Sequence, residues 1–275
     1  MITIKTPEEI KTLREGGRRL GGVLNEVARA VKPGISTSVL NDLAERLILE
    51  VGGEASFKGY NPYGAKAAYP AALCVSVNDE VVHAIPKRDR ILNEGDIVGL
   101  DIGMWWPAPV RGARLASHSE AASSKSVRAM ATDAAVTVGV GKISPQAEKL
   151  IRVTAESLAI GIQEARAGAR IGDIGSAIQV HLEKNGFGVV RDLAGHGVGH
   201  KVHEDPFVPN FGTPGTGAVL REGMVLAIEP MATEGAWKVT LDEDEWAYRT
   251  ADGKLAAHFE HTIVVTKNGA EILTR

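Results

Sequence analysis

Three apolar segments of this 275-residue chain each carry a carboxylate where a core residue is expected: Asp101 in DIVGLDIG, Glu229 closing MVLAIEP, and Glu260 in HFEHTIVV. An ionised carboxylate is costly to bury alone, so several of them on strands call for compensating positive charge. The acid-bearing segments hold almost no Lys or Arg, which weakens an ion-pair explanation, and a bound metal is the simplest source of the missing charge. Histidine adds a second ligand type. His196, His200 and His203 fall in GHGVGHKVHEDP, a stretch too rich in glycine for an ordinary helix and able to bring side chains to a common centre. A single histidine is more often structural, whereas three in eight residues, framed by glycine and followed by strand acids, point to a site. His83, in VVHAIP, reads equally well as a site residue or as a surface turn residue.

Helices and strands must hold these side chains in place. Thr6, Pro7 and Glu9 have the order of an N-cap, a first-turn proline and a capping-box acid, which predicts a helix running to about Lys32-Pro33-Gly34. Leu40, Leu43, Leu47 and Val51 recur at helical spacing and predict a second helix over Val39–Val51, ended by Gly52-Gly53. The phrase then returns: Ser144-Pro145 opens a helix to about Ala167, Gly168 breaks it, and Ile174, Ala177, Ile178 and Leu182 mark a shorter helix closed by Asn185-Gly186. Laying Gly34 over Gly168 brings Leu40 onto Ile174 and Gly52 onto Gly186, the pattern of an internal duplication; chance recurrence of helix, glycine, short helix is the competing explanation. Apolar, β-branched segments at Leu73–Val77, Ile97–Ile102, Met224–Ile228 and Thr262–Thr266 predict strands. Together these elements imply an α+β fold with the sheet as its core.

Five segments in order, SVNDEVVHAIP, DIVGLDIG, GHGVGHKVHEDP, MVLAIEPM and FEHTIVVT, resemble the signatures of methionine aminopeptidases, and of their type I in particular, over nearly the whole chain. The resemblance implies the pita-bread (creatinase/aminopeptidase-like) fold, with pseudo-two-fold duplicated helix-helix-sheet halves, about 1–141 and 142–275, around a curved antiparallel sheet in a single catalytic domain. It implies five metal ligands: Asp101, Asp133, His196, Glu229 and Glu260. Asp101 would hold one ion, His196 and Glu229 the other, and Asp133 and Glu260 would bridge them. Oxygen-rich coordination with one imidazole suits two divalent ions of Mn, Fe, Co or Zn. The family sets its two aspartates closer than the 32 positions between Asp101 and Asp133. Asp133 is chosen because TDAAVTVGVG resembles the second family strand, and the other carboxylate in the interval, Glu120, lies in a Ser- and Ala-rich stretch.

The implied activity is removal of the N-terminal methionine from nascent polypeptides, with a small second residue preferred. A metal-bridging hydroxide would attack the peptide carbonyl. Glu229 would take the water's proton and pass it to the departing amine. His203 and His83 would hydrogen-bond the scissile amide or the developing oxyanion. The substrate's free α-amine would complete the coordination of one ion, so that only a first residue is cut. The resemblance also points to Tyr60, Tyr69, Cys74, His83, Val202 and Trp246 as the lining of the methionine pocket.

The extra stretch between Met104 and Ala131 is expected to be a hairpin insertion on the rim of the site. Pro107 and Pro109 interrupt any sheet there, and Arg111, Arg114, Lys125 and Arg128 stand against one acid, Glu120. That local charge suits transient contact with ribosomal RNA, and a solvated loop without a partner is the alternative. The chain as a whole has a net charge of −3, which gives no ground for a nucleic-acid substrate. Its one cysteine cannot form an internal disulfide, and no segment has the apolar core of a signal peptide or a membrane span. A cytoplasmic, monomeric enzyme is expected. Among rivals, a proline-specific aminopeptidase of the same fold usually carries a large N-terminal domain, and a type II enzyme needs a long insertion where only 25 residues separate His203 from Glu229. A catalytically silent relative that binds protein or RNA would have no reason to keep all five ligands.

Overall fold

The computed structural model describes residues 2–61, 66–109 and 127–275. In chain order its elements are α1 (Pro7–Ala30), α2 (Thr37–Glu50), β1 (Glu54–Ala55), β2 (Leu73–Val77), β3 (Glu80–Val82), β4 (Ile97–Trp106), β5 (Met130–Gly139), α3 (Pro145–Glu164), α4 (Ile171–Lys184), β6 (Gly188–Val189), β7 (Ala194–Gly197), β8 (Glu204–Pro209), β9 (Val225–Ile228), β10 (Met231–Thr233), β11 (Val239–Leu241), β12 (Tyr248–Thr250), β13 (Ala256–His258), β14 (Glu260–Thr266) and β15 (Gly269–Ile272). The expected caps form. The Thr6 hydroxyl accepts from Glu9 N while the Glu9 carboxylate accepts from Thr6 N, and the Ser144 hydroxyl accepts from Ala147 N. Two helices differ from their sequence reading: α2 starts earlier, at Thr37, and α3 stops at Glu164, where Ala165 leaves helical geometry and the chain turns so that Ala167 N donates to Thr266 O.

Among the described residues the main sheet has nine strands in the order β1-β4-β5-β14-β9-β7-β8, with β2 also on β4 and β15 on β14, and every pairing is antiparallel. Its two ends belong to different parts of the chain, which meet where β5 pairs with β14. α1 and α2 pack a buried core with β2, β4 and β5, including Leu20, Leu40, Leu73 and Leu100; α3 and α4 pack another with β9 and β14, including Leu150, Ile174, Leu226 and Ile263. The duplication is present in detail. Gly34 and Gly168 share left-handed φ values of 85° and 90°, which a side chain would resist, and Gly52 and Gly186 share 77° and 86°. Two residues after Gly34 and Gly168, Ser36 and Arg170 open α2 and α4 and each forms an isolated antiparallel bridge, to Ile91 and Val219.

The β4–β5 ladder runs on through Met104↔Thr132, Trp105↔Ala131 and Trp106↔Met130, so the flanks assigned to the insertion, Met104 and Ala131, are paired strand residues and the extra stretch starts at Pro107. Tryptophan at two successive positions suits a pleated surface, and Trp106 packs on α1, where a Cβ at Gly16 would stand 3.0 Å from its own Cβ. Arg111, Arg114, Glu120 and Lys125 lie outside the described residues, while Arg128 Nη1 stands 3.9 Å from Glu9 Oε1. No helix among the described residues is long and apolar enough to cross a membrane.

Candidate metal centre

Strand register builds the site. Residues directly opposite one another in a ladder point to the same face, as do residues two apart on one strand. Asp101 is opposite Ala135, Asp133 is opposite Gly103, and Glu260 is opposite Ala135, so all three acids leave one face of β4, β5 and β14. The 32-position separation of the aspartates does not disturb this, because the extra stretch lengthens the connection and leaves the ladder intact. On the far side of the seam His196 and Thr262 both oppose Ala227, which puts His196 on that face too, and Glu229 follows directly on β9. Gly103 leaves room beside Asp133 for Phe57, whose Cε1 would stand 2.7 Å from a Cβ there. The Thr262 hydroxyl accepts from Asp133 N at 2.9 Å and donates to Asp133 O at 2.8 Å, clamping β14 to β5 at that acid.

One ligand atom from each of Asp133, His196 and Glu260 lies within 4.8 Å of the others. His196 Nδ1 bonds Gly197 O at 2.9 Å, which puts its proton there and leaves the Nε2 lone pair free, 3.6 Å from Glu229 Oε1. Asp101, Asp133 and Glu260 are buried, and Asp101 Oδ1 and Glu260 Oε1 have no hydrogen-bond partner among the described residues. No Lys or Arg of the described residues forms an ion pair with these acids or with Glu229, which removes the ion-pair explanation weighed above. Burial pushes Asp101 up to about 7, against the pull of His258, and holds Asp133 and Glu260 well above the ordinary carboxylate range, each aggravated by its acidic neighbours. Glu229 goes the other way: burial raises it, but His258 and His196 bring it below its ordinary value. Buried oxygens without partners, grouped around an unprotonated imidazole nitrogen, form the donor set of a hard or borderline divalent cation.

These groups open into a cavity of roughly 340 Å³ lined by Phe57, Tyr60, Tyr69, Cys74 and Trp246, with His83, His203 and the four acids also on its wall. Tyr60, Tyr69, Cys74, His83 and Trp246, expected in the methionine pocket, all line this one cavity. Val202 is not among the residues that line it: it is buried in the apolar cluster that also contains Phe57, Tyr69 and Cys74. His200 also leaves the site, its Nε2 bonding Glu9 Oε1 at 2.6 Å. His203 Nδ1 is 2.8 Å from the Tyr60 hydroxyl, and its ring centroid is 4.3 Å from that of His196. His203 keeps some access to solvent, yet desolvation by the wall and the nearby His196 hold its pKa below that of a free imidazole. His83 occupies a left-handed conformation, φ 61°, and burial brings it down to about 4, so both imidazoles are neutral at pH 7. Sequence reasoning missed Phe57, Leu193, Glu245 and Tyr248 on the wall, and it missed His258, buried with Nε2 3.5 Å from Glu229 Oε2. The one available signal for His258 was its place two residues before Glu260.

Comparison with known proteins agrees with this geometry. The profile of metallopeptidase family M24 matches residues 11–107 and 125–267. The methionine aminopeptidase of Clostridium perfringens is 46% identical over 100% of this chain and 99% of its own length, and methionine aminopeptidase 1 of Bacillus subtilis is 44% identical over 100% of both. The crystal structure of methionine aminopeptidase from Thermotoga maritima superposes with a TM-score of 0.87 at 43% identity, again with 100% of both chains covered. With its antiparallel half-barrel, its buried acids and these relatives, the chain belongs to the methionine aminopeptidases, pita-bread hydrolases of metallopeptidase family M24.

Proposed function

We propose that this chain removes the N-terminal methionine from nascent polypeptides in the cytoplasm, preferring a small second residue. The observation that carries the reading is the juxtaposition of buried, unneutralised acids and His196 with an apolar cavity of side-chain size. Asp101, Asp133, His196, Glu229 and Glu260 fit two divalent ions: they are grouped on one face, and Asp101 Oδ1 and Glu260 Oε1 have no hydrogen-bond partner among the described residues, while His196 Nε2 is left with its lone pair. When bound, such ions polarise a carbonyl and make water a nucleophile at neutral pH. Glu229, the one acid of the group held below its ordinary pKa, is ionised and takes up a proton that it returns to the leaving amine. With the Tyr60 hydroxyl donating to Nδ1 of His203, the ring proton stands on Nε2 and serves the scissile carbonyl. His83, neutral and fixed by its backbone, is the second such donor. Tyr69, Cys74, Phe57 and Trp246 enclose the unbranched thioether side chain of methionine, and Tyr69 and Trp246 meet edge to face with centroids 5.1 Å apart. The enzyme acts as a monomer, and its basic segment around Arg111, Arg114, Lys125 and Arg128 touches the ribosome.

The test is hydrolysis of Met-Ala-Ser and of Ala-Pro-Ala by protein stripped of metal, with Mn, Fe, Co and Zn added back one at a time. Cleavage of the first peptide should return with at least one metal and the second should remain intact. Preference for the proline peptide, or activity indifferent to chelator, overturns the reading.

A further inference from the structure

His258 takes no part in the chemistry above, yet its setting matches that of Asp133. The Thr137 hydroxyl accepts from His258 N at 2.9 Å and donates to His258 O at 2.8 Å, the same two bonds at the same lengths that Thr262 makes to Asp133. Both threonines flank the seam where Glu260 pairs with Ala135, so the pseudo-two-fold that exchanges β5 and β14 exchanges Asp133 with His258. The position that supplies an acid in one half supplies an imidazole in the other. A second ladder pins the same backbone, since His258 pairs with Met231 immediately beyond Glu229-Pro230. His258 is only 3% exposed, and its Nε2 is buried without a hydrogen-bond partner among the described residues. That nitrogen stands 3.5 Å from Glu229 Oε2, while the other oxygen, Oε1, is 3.6 Å from His196 Nε2. The Glu229 carboxylate thus lies between two imidazoles. The nitrogen of His196 carries no proton, because its Nδ1 holds it against Gly197 O, and His258 is left as the donor.

We propose that His258 is a positioning residue that donates its Nε2 proton to Glu229 Oε2 and fixes the plane of that carboxylate, keeping Oε1 turned toward the acid cluster. The bond closes by a few tenths of an ångström from the separation observed, to ordinary hydrogen-bond length. A carboxylate held at one oxygen cannot rotate and exchange its two oxygens, so the base presents the same lone pairs at each turnover. His258 is not a ligand in this arrangement, because its Nε2 is committed to Glu229 Oε2, 3.5 Å away. The inference rests on Glu229 acting as the base.

Gln and Met have similar volumes and differ in whether they can donate, so His258→Gln and His258→Met separate the bond from the packing. Both variants should melt close to the parent and bind the same number of Mn(II) ions in calorimetric titration of metal-free protein. His258→Met should lose about 10- to 100-fold in kcat on Met-Ala-Ser with KM within about threefold, and His258→Gln should recover most of that loss. Equal kcat for the two variants overturns the proposal, and so does loss of one Mn(II) in both, which would make His258 a ligand. If the parent does not cleave the peptide, the proposed function fails, and 15N spectra of histidine-labelled metal-free protein still decide the pair. A protonated Nε2 at His258 whose resonance shifts in Glu229→Gln upholds the bond, and an unprotonated Nε2 overturns it.

Discussion

At the scale of single residues, the acids that were easiest to find are those that the fold can least tolerate without a ligand. Glu229→Gln keeps the shape of the side chain and removes its ability to accept a proton, so kcat should fall by at least about 100-fold while the metal-free protein still unfolds in a single cooperative transition. Asp101 offers a sign test. Its folded pKa of about 7 lies above the unfolded value, so its contribution to stability is full at low pH and is lost as the pH rises through 7. The metal-free Asp101→Asn variant, which cannot ionise, should therefore gain on the parent between pH 4 and 7 by at least about 3 °C in midpoint and level off above that. A difference that shrinks with rising pH would mean that Asp101 is stabilised as an anion. Asp101, Glu229 and Glu260 were legible in the sequence because a charge inside an apolar strand has few explanations. His258 was not, because nothing local distinguishes a histidine that faces a carboxylate from one that faces a core. Val202, expected in the lining, is buried in the cluster with Phe57, Tyr69 and Cys74, and a resemblance assigns such a position without the direction of its side chain, which tertiary packing sets.

At the scale of elements, the N-terminal strap illustrates how a peripheral piece supports the site. Lys5 N donates to Gly223 O, and its ammonium bonds Thr3 and, at 2.7 Å, Glu204 Oε2, with the two charged side chains 1% and 5% exposed. The other oxygen of Glu204 accepts from the backbone of His200 and Lys201, closing the turn that carries His203. Burial raises the pKa of Glu204, but Lys5 and Thr3 overcome this and hold it at about 2. Lys5→Met would leave that acid buried without its cation and should cost roughly 3 kcal/mol, read in urea unfolding, together with a fall in kcat as His203 loses its support. The folded pKa lies below the ordinary value, so the benefit of Glu204 is complete above about pH 4.3 and disappears as the pH falls toward 2. The midpoint gap between parent and Glu204→Gln should accordingly be constant from pH 7 to 5 and narrow below 4. The long helices were readable because Thr6 and Ser144 announce their own caps, and the core strands because they are continuous apolar runs. Short strands such as β3, β11 and β12 were not foreseen: they are held by pairing across the fold and by Arg249, which bonds Asp79, Glu80 and Asp242 at once, and three-residue segments carry no period of their own.

At the scale of the whole molecule, the recurrence of Gly34 and Gly52 as Gly168 and Gly186 left duplication and chance open in the sequence, and their shared left-handed φ values decide for duplication. Charge distribution gives the remaining prediction. Replacing Arg111, Arg114, Lys125 and Arg128 with Ser should leave tripeptide cleavage within about twofold and weaken salt-sensitive sedimentation with ribosomes. Unchanged sedimentation would remove the proposed contact, and lost cleavage would tie the segment to the centre itself.

The seam between β5 and β14 has a further consequence. Asp101 and Asp133 come from one repeat and His196, Glu229 and Glu260 from the other, so neither repeat holds the whole donor set. The short link between Gly139 and Pro145 therefore works as a tether: it converts what would be association of two fragments into an intramolecular event at an effective concentration on the order of millimolar. Cut at that link, the protein would become a heterodimer whose metal affinity depends on its own dilution, whereas the intact chain assembles its site equally well at any concentration.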